Sequence, residues 1–456
     1  MTIARSPFAS LCVLSLALTA PSTVAAQTGR APAAPARAQA SLDALHQRLD
    51  KGAEAVLPKV VALRRDLHAH PELGNRETRT AGLLAERLRA LGYEVRTGVA
   101  KTGVVGVLRG GRPGPVVALR SDIDALPVTE ETGLPFASTA RTTFNGREVG
   151  VMHACGHDFH MSILMGAAEV LAGMKADLPG TVTILFQPAE EGAPAGEDGG
   201  APLMVREGAL DNPAVNAVFG LHVGISPAET GSISFRPGAL MAASDTFGIT
   251  VRGRSTHGAL PWAGVDPVVV AAQIVLGLQT IISRQSELTT APAVLTVGTI
   301  EGGNRFNIVP DEVRMTGTIR TFDKAMQTRI HENIRRTAEQ IAASAGATAE
   351  VRIVVGNGVT WNDPALTERM TPSLKRVAAG KFDPNTNVTT TAEDFSAYQQ
   401  KAPSLYVFLG VAPKGTDPAT WAANHSPRFN PDEAALITGV RALASLAVDY
   451  LAGAAK

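Results

Sequence analysis

Two hydrophobic rhythms run along this chain, and one is set inside the other. In the outer rhythm, short apolar runs alternate with helical stretches. VVGVL (104–108), VVALR (116–120), TVTILFQ (181–187), AVFGLHV (217–223) and SLYVFLG (404–410) read as buried strands. The stretches 41–70, 80–91, 161–174, 364–378 and 432–452 read as helices; in the first, Leu42, Leu45, Leu49, Val56, Val60, Leu63 and Leu67 make one stripe. Such alternation predicts an α/β layer, a central mixed sheet flanked by helices. From 244 to 356 the order becomes strand, helix, two strands, helix, strand, the split unit of a ferredoxin-like domain. The expected plan is a large domain over 41–243 and 357–456, with a small β-α-β-β-α-β domain, 244–356, inserted in it. A chain of 456 residues accommodates both.

The first residues predict export. Arg5 precedes an apolar run, FASLCVLSLALTA (8–20), that is short for a bilayer span, and Val24 and Ala26 fit a signal-peptide cleavage site. The expectation is a signal peptide over 1–26, cleaved near Ala26, then a flexible Ala/Pro-rich leader over 27–40, and a periplasmic or secreted protein. No later segment reads as a convincing transmembrane helix, so no stable membrane association is expected. A formal net charge of zero gives no argument for nucleic acid. Export also leaves Cys155 alone, because Cys12 departs with the signal peptide. A solitary thiol in an oxidising compartment is a liability unless it is buried or held by a metal.

Cys155 lies in VMHACGHDFH (151–160), which packs three histidines, a cysteine and an aspartate into ten positions. Cys155 and His157 are two apart, so in an extended loop both face one side. Glu190 and Glu191 follow a predicted strand in QPAEEG, where ligands of open α/β sheets collect. Adjacent in extended chain, they point apart; one can bind metal while the other serves a reacting water as general base. His222 ends the run GLHV, and His425 lies in the loop NHSP. Each signal alone has a plain reading: a core histidine, a loop histidine, a solvated pair of glutamates. Together, one thiolate, several imidazoles and two carboxylates suit zinc or a similar divalent metal.

The motifs DLHAHPELGNRET, RSDIDALP, MHACGHDFH, QPAEEG, GLHV, FNIVPDEVRMTGTIRTF and NHSP resemble the amidohydrolase branch of the metal-dependent aminoacylase and carboxypeptidase family. That branch includes hippurate hydrolases and plant auxin-conjugate (IAA-amino acid) hydrolases. The resemblance runs in order from about residue 50 to the C-terminus. It implies a zinc-exopeptidase-like catalytic domain and a ferredoxin-like lid that also serves dimerisation. The metal ligands it implies are Cys155, His157, Glu191, His222 and His425. They would hold two divalent ions per subunit (zinc, manganese, cobalt or nickel), with Cys155 bridging and Glu190 as catalytic base. Asp124 would orient a ligand imidazole; His153 and His160 are expected to pack or support. Two dications carry more charge than Cys155, Glu191 and a hydroxide neutralise, which favours a substrate bearing a carboxylate.

In the small domain the resemblance implies that His257 reaches the partner subunit's site to help hold the oxyanion, and that Asn307 and Arg320 bind substrate. The matching family loop commonly reads G-G-H-A, whereas here it is Ser255-Thr256-His257-Gly258. The expected activity is hydrolysis of the amide bond of N-acyl amino acids or short peptides by a homodimer. A dipeptidase or carboxypeptidase of the same fold, a thiol hydrolase using Cys155 with His157 or His160, and an exported binding protein without turnover are the competing readings.

Overall fold

The computed structural model describes residues 33–224, 228–417 and 420–453. The expected signal peptide, the first part of the leader and Cys12 lie outside them. The described residues from Leu42 onward form one compact unit. The first helix spans Ala33–Ala69, starting before the predicted position 41. Its N-terminal stretch is rich in alanine, the strongest helix former, which carries the helix back into the expected leader.

The main sheet has eight strands in the order Glu94–Val99, Gly103–Arg109, Pro179–Gln187, Arg112–Asp122, Ala217–Val223, Ser404–Leu409, Ile233–Ser234 and Phe382–Asp383. The middle four are mutually parallel, while Gly103–Arg109 and Ile233–Ser234 join antiparallel, so the sheet is mixed. The predicted apolar runs are these central strands, and they are buried as predicted because helices cover both faces. Helices Thr78–Ala90, His157–Gly173, Pro364–Val377 and Leu436–Ala452 contribute to one core, around Phe159, Leu164, Phe219 and Leu443. Ala201, Met204, Phe395 and Tyr398 belong to the core of the other face.

The segment from Ala243–Arg252 to Thr348–Val355 builds a second, four-stranded antiparallel sheet. Its order is Ala293–Gly302, Glu312–Thr321, Ala243–Arg252, Thr348–Val355. Helices Pro267–Gln285 and Lys324–Ser344 pack on it around a core of their own, including Phe247, Ile274, Met315 and Ile334. Asp266 and Asp323 cap these helices, each accepting backbone N–H groups of the first turn. The strand-helix-strand-strand-helix-strand order expected from the sequence is therefore present.

Two later helical stretches are long and apolar enough to cross a membrane by length and composition alone, a test that core helices also pass. One of them, Glu433–Ala452, has 78% of its apolar window buried inside the protein. The other, Pro267–Gln285, buries only the stripe Val270, Ile274, Leu278 and Ile281, leaving Val268, Val269 and Leu276 exposed.

Candidate metal centre

The carboxyl ends of the central parallel strands converge on one place, and each delivers part of a donor cluster. Arg112–Asp122 leads to Asp124, and Pro179–Gln187 leads to the turn carrying Glu190 and Glu191. His222 sits near the end of Ala217–Val223, and the loop after Ser404–Leu409 brings His425. Cys155 enters from the loop before helix His157–Gly173.

The local geometry differs from an extended loop. Gly156 adopts a left-handed φ of 94°, and His157 is the first residue of its helix. A Cβ at Gly156 would lie 2.5 Å from a Val223 methyl, so glycine is required on steric grounds as well. Cys155 and His157 thus converge through a glycine turn, not through strand alternation. The glutamates also lie in a turn, opened by Ala189 at φ 51°. Glu77 holds that turn: its carboxylate accepts the Ala189 N–H at 2.9 Å and the Thr102 hydroxyl at 2.6 Å. His425 has a φ of 69° and donates its backbone N–H to Ala154 O at 2.8 Å. A strained backbone is tolerated there because it delivers the imidazole to the cluster.

Cys155 Sγ lies 3.4 Å from His222 Nε2 and 3.3 Å from His425 Nε2. His425 Nε2 is 3.1 Å from Glu191 Oε1. His157 Nε2 faces Glu190 and Glu191 at 3.9 and 4.0 Å. Two sets of ligand atoms, Cys155–His157–His222 and Cys155–Glu191–His425, each fall within 4.8 Å, and Cys155 belongs to both. Two further groupings are decided by their hydrogen bonds. His160 offers Nδ1 to Asp122 at 2.6 Å and accepts the Val223 N–H on Nε2 at 2.9 Å, which leaves it no lone pair for a metal. Glu393 and Asp394, near Glu190, are both bound by the fully buried Arg120 guanidinium at 2.9 and 3.0 Å.

Asp124 ties two donors together. Its backbone oxygen accepts from His157 Nδ1 at 2.8 Å, its Oδ1 lies 3.2 Å from the same nitrogen, and its Oδ2 accepts the Glu191 N–H at 3.0 Å. The backbone oxygen, more than the carboxylate, makes the hydrogen bond to His157. This arrangement turns His157 Nε2 inward, where it is buried without a hydrogen-bond partner, while Glu191 Oε1 has only the ion-pair contact with His425. An orphaned acceptor turned into the cluster is what a cation would satisfy.

The electrostatics also call for a cation. Burial, with Glu393 and Glu191 nearby, pushes the Glu190 carboxyl well above its ordinary range. Burial and the neighbouring Glu191, Glu190 and Asp122 push the Cys155 thiol up. Burial works against charge on His157, yet Asp122 and Asp124 raise it to about 10. Carboxylates around Cys155 are the reverse of the electropositive setting that activates a thiol nucleophile. His160 has both ring nitrogens engaged and so is not the thiol's base, and the imidazoles against the sulfur are His222 and His425. His153 is buried with both ring nitrogens unbonded, and burial lowers its pKa to about 3.

The small-sheet candidates lie elsewhere. His257 and Asn307 come together, with Gly258 N–H donating to Asn307 O at 2.8 Å and His257 pairing with Ile308. Arg320 donates to Thr318 Oγ1 and Ile319 O. Among the described residues, no hydrogen bond or ion pair joins any of the three to the donor cluster. The sequence reading missed Glu77, Arg120, Asp122, Glu393 and Asp394. Their only signal was charge in otherwise apolar or well-formed motifs.

Soft and hard donors gathered at strand ends, with one carboxylate left beside them, suit a hydrolase that works through divalent metal. Residues 118–449 match the family described as Peptidase family M20/M25/M40, and the chain belongs to that family. It is similar to thermostable carboxypeptidase 1 of Saccharolobus solfataricus, 37% identical over 408 residues, covering 89% of this chain and 99% of that one. It is 38% identical over 379 residues to N-acetyl-L-cysteine deacetylase of Bacillus subtilis, covering 83% and 85%. A solved Bacillus subtilis structure, the YXEP protein, is named a dinuclear metal binding peptidase from the M20 family. It matches with a TM-score of 0.73 and 35% identity, covering 87% of this chain and 99% of that one. The family expected from the motifs is the family found.

Proposed function

We propose that this protein is an exported amidohydrolase that cleaves the amide bond of N-acyl amino acids or short peptides. The observation that carries the reading is the convergence of Cys155, His157, Glu191, His222 and His425, with His157 Nε2 left unpartnered beside Glu190. These five side chains would hold two divalent ions, with Cys155 shared between the two sets. The pair, when bound, supplies Lewis-acid polarisation of a carbonyl and a more acidic water. Glu190 accepts the proton of the attacking water and returns it to the leaving nitrogen. Its neighbours Glu393 and Asp394 are fixed on Arg120, which leaves Glu190 turned toward His157. Asp124 fixes the ring of His157 and the backbone of Glu191 at the same time.

The substrate class is supported by the relatives named as a deacetylase and a carboxypeptidase. The second name favours peptides as the alternative substrate. A screen of N-acyl amino acids and dipeptides with metal-reconstituted protein, reading released amine, separates the two. Activity that survives exhaustive chelation would sink the metal reading, and hydrolysis of no amide by fully loaded protein would sink the substrate class.

Export rests on the apolar segment at 8–20 and the small residues before Gln27; an N-terminus retaining Met1 in the mature protein would refute it. A homodimer through the small sheet is supported by Trp262 and Phe306, 78% and 94% exposed on neighbouring loops, and by exposed Leu276 on Pro267–Gln285. In that dimer His257 would reach the partner's site, and Asn307 and Arg320 would meet the substrate carboxylate under a closing lid. Sedimentation of a fully active monomer would refute the role in trans.

A further inference from the structure

A cavity of about 460 Å³ opens beside the donor cluster and shares Asp124 and Glu191 with it. Its walls come from segments far apart in the chain: Leu73, Leu126, Phe144, Val151 and Pro194 all line it. The inner walls are fixed. Leu73 bridges Ala125, Leu126 and Met152 exchange backbone hydrogen bonds at 3.0 Å, and Ala125 N–H donates to Glu72 O at 2.8 Å. Gly74 lies so close to the 189–192 turn that a Cβ there would meet Gly192 O at 2.9 Å.

The outer wall is built differently. Strands Arg141–Phe144 and Arg147–Gly150 pair only with each other, around an Asn145-Gly146 turn with φ of 50° and 74°. This hairpin is exposed along most of its length, yet it sets Arg141 to Asn145 against the cavity. Phe144 remains 37% exposed there, an aromatic ring with no core to enter.

The charged residues lining the cavity outside the donor cluster, Glu72, Arg76 and Arg141, are answered locally. The Glu72 carboxylate accepts the backbone N–H groups of Arg79 and Thr80 at 3.0 and 2.8 Å. Arg76 is paired with Glu197 at 2.6 Å, and Arg141 with Glu148 at 2.7 Å. Both arginines among the described lining residues are already paired, so the cavity suits the amino-acid half of the substrate less well than an uncharged group. An uncharged, apolar group fits it, and its size is that of a small-molecule subsite.

We infer that this cavity is the acyl subsite, and that the 141–150 hairpin, through Phe144, is the outer wall that sets which acyl chains or rings are accepted. The inference rests on the amidohydrolase reading above, and its test separates the two. One arm measures kcat/KM for N-acetyl, N-butyryl, N-octanoyl and N-phenylacetyl forms of a single amino acid, with wild type, Phe144→Ala and a variant whose residues 141–149 are replaced by a two-glycine link. The wild type should gain about threefold or more per added methylene until the cavity is full. The ratio of octanoyl to acetyl kcat/KM should fall about tenfold in Phe144→Ala and further in the hairpin variant.

The second arm measures calorimetric binding of acetate, butyrate and octanoate to the metal-loaded proteins, without any reaction. Affinity should rise with chain length in the wild type, and the rise should flatten in Phe144→Ala. If no amide is hydrolysed but this pattern holds, the function fails and the subsite stands. If amides are hydrolysed but neither variant alters chain-length dependence, the subsite is overturned. A change in amino-acid preference in place of acyl preference would also overturn it.

Discussion

The Cys155 thiol meets the His425 imidazole at 3.3 Å, although 270 positions separate them in the chain. Cys155 stands equally close to His222, at 3.4 Å, so one sulfur touches both halves of the donor cluster. Cys155→Ala should therefore lower metal content in both sets, not in one. Metal analysis after dialysis checks this, with amide hydrolysis expected to fall roughly a hundredfold or more. Unchanged stoichiometry would show that the sulfur is not a shared ligand.

Glu190 shares its turn with Glu191 but has a different set of neighbours. Glu190→Gln keeps size and polarity while removing the base. Metal content should stay near normal while kcat falls by about 10²–10⁴-fold. Loss of metal together with activity would reassign Glu190 as a ligand.

Arg120 is fully buried and binds Asp122, Glu393, Asp394, Gln187 and Tyr406. Arg120→Met leaves three carboxylates without their cation and should cost about 3–5 kcal/mol in unfolding free energy. Tyr406→Phe removes the 2.6 Å hydrogen bond to Glu393 and the longer one from Arg120 but no charge, and should cost about 1–3 kcal/mol. Urea titration distinguishes them; equal losses would show that charge compensation is not what Arg120 provides.

His68 links the first helix to the metal loop, with Nδ1 2.8 Å from Asp158 and Nε2 3.0 Å from Glu130. Burial opposes its charge, but Asp158 and Glu130 together raise its pKa to about 9, from an ordinary 6.5. A folded value above the unfolded one means the stabilisation is complete below about pH 6.5 and is lost as pH rises through about 9. The melting temperature should fall across that window, and His68→Gln should lose that part of the slope.

Phe306 is almost wholly solvent-exposed next to the loop that carries His257. In the proposed dimer, Phe306→Asp should yield a monomer in sedimentation and reduce turnover with metal content unchanged. A variant that stays dimeric would move the interface elsewhere.

The central strands were legible because helices on both faces make each one a continuous apolar run, as in Ala217–Val223. The hairpin Arg141–Phe144 and Arg147–Gly150 was not, since exposed strands carry no buried face and hence no apolar pattern. His157 was found as a residue, but its geometry was misread. Gly156 changes the chain direction within one position, which residue spacing does not report. Asp122 and Arg120 looked like polar residues ending a strand, and only packing shows them matched to Glu393 and Asp394 from the far end of the chain.

The sequence by itself determined the kinds of donor and the strand ends from which they project, because residue type and hydrophobic period are local properties. The tertiary structure decided how those donors are used. His160 is withdrawn from metal by Asp122 and Val223, while His157 Nε2 is left without a hydrogen-bond partner. Most buried polar atoms find a partner, and which partner each finds depends on segments that only folding brings within hydrogen-bond reach.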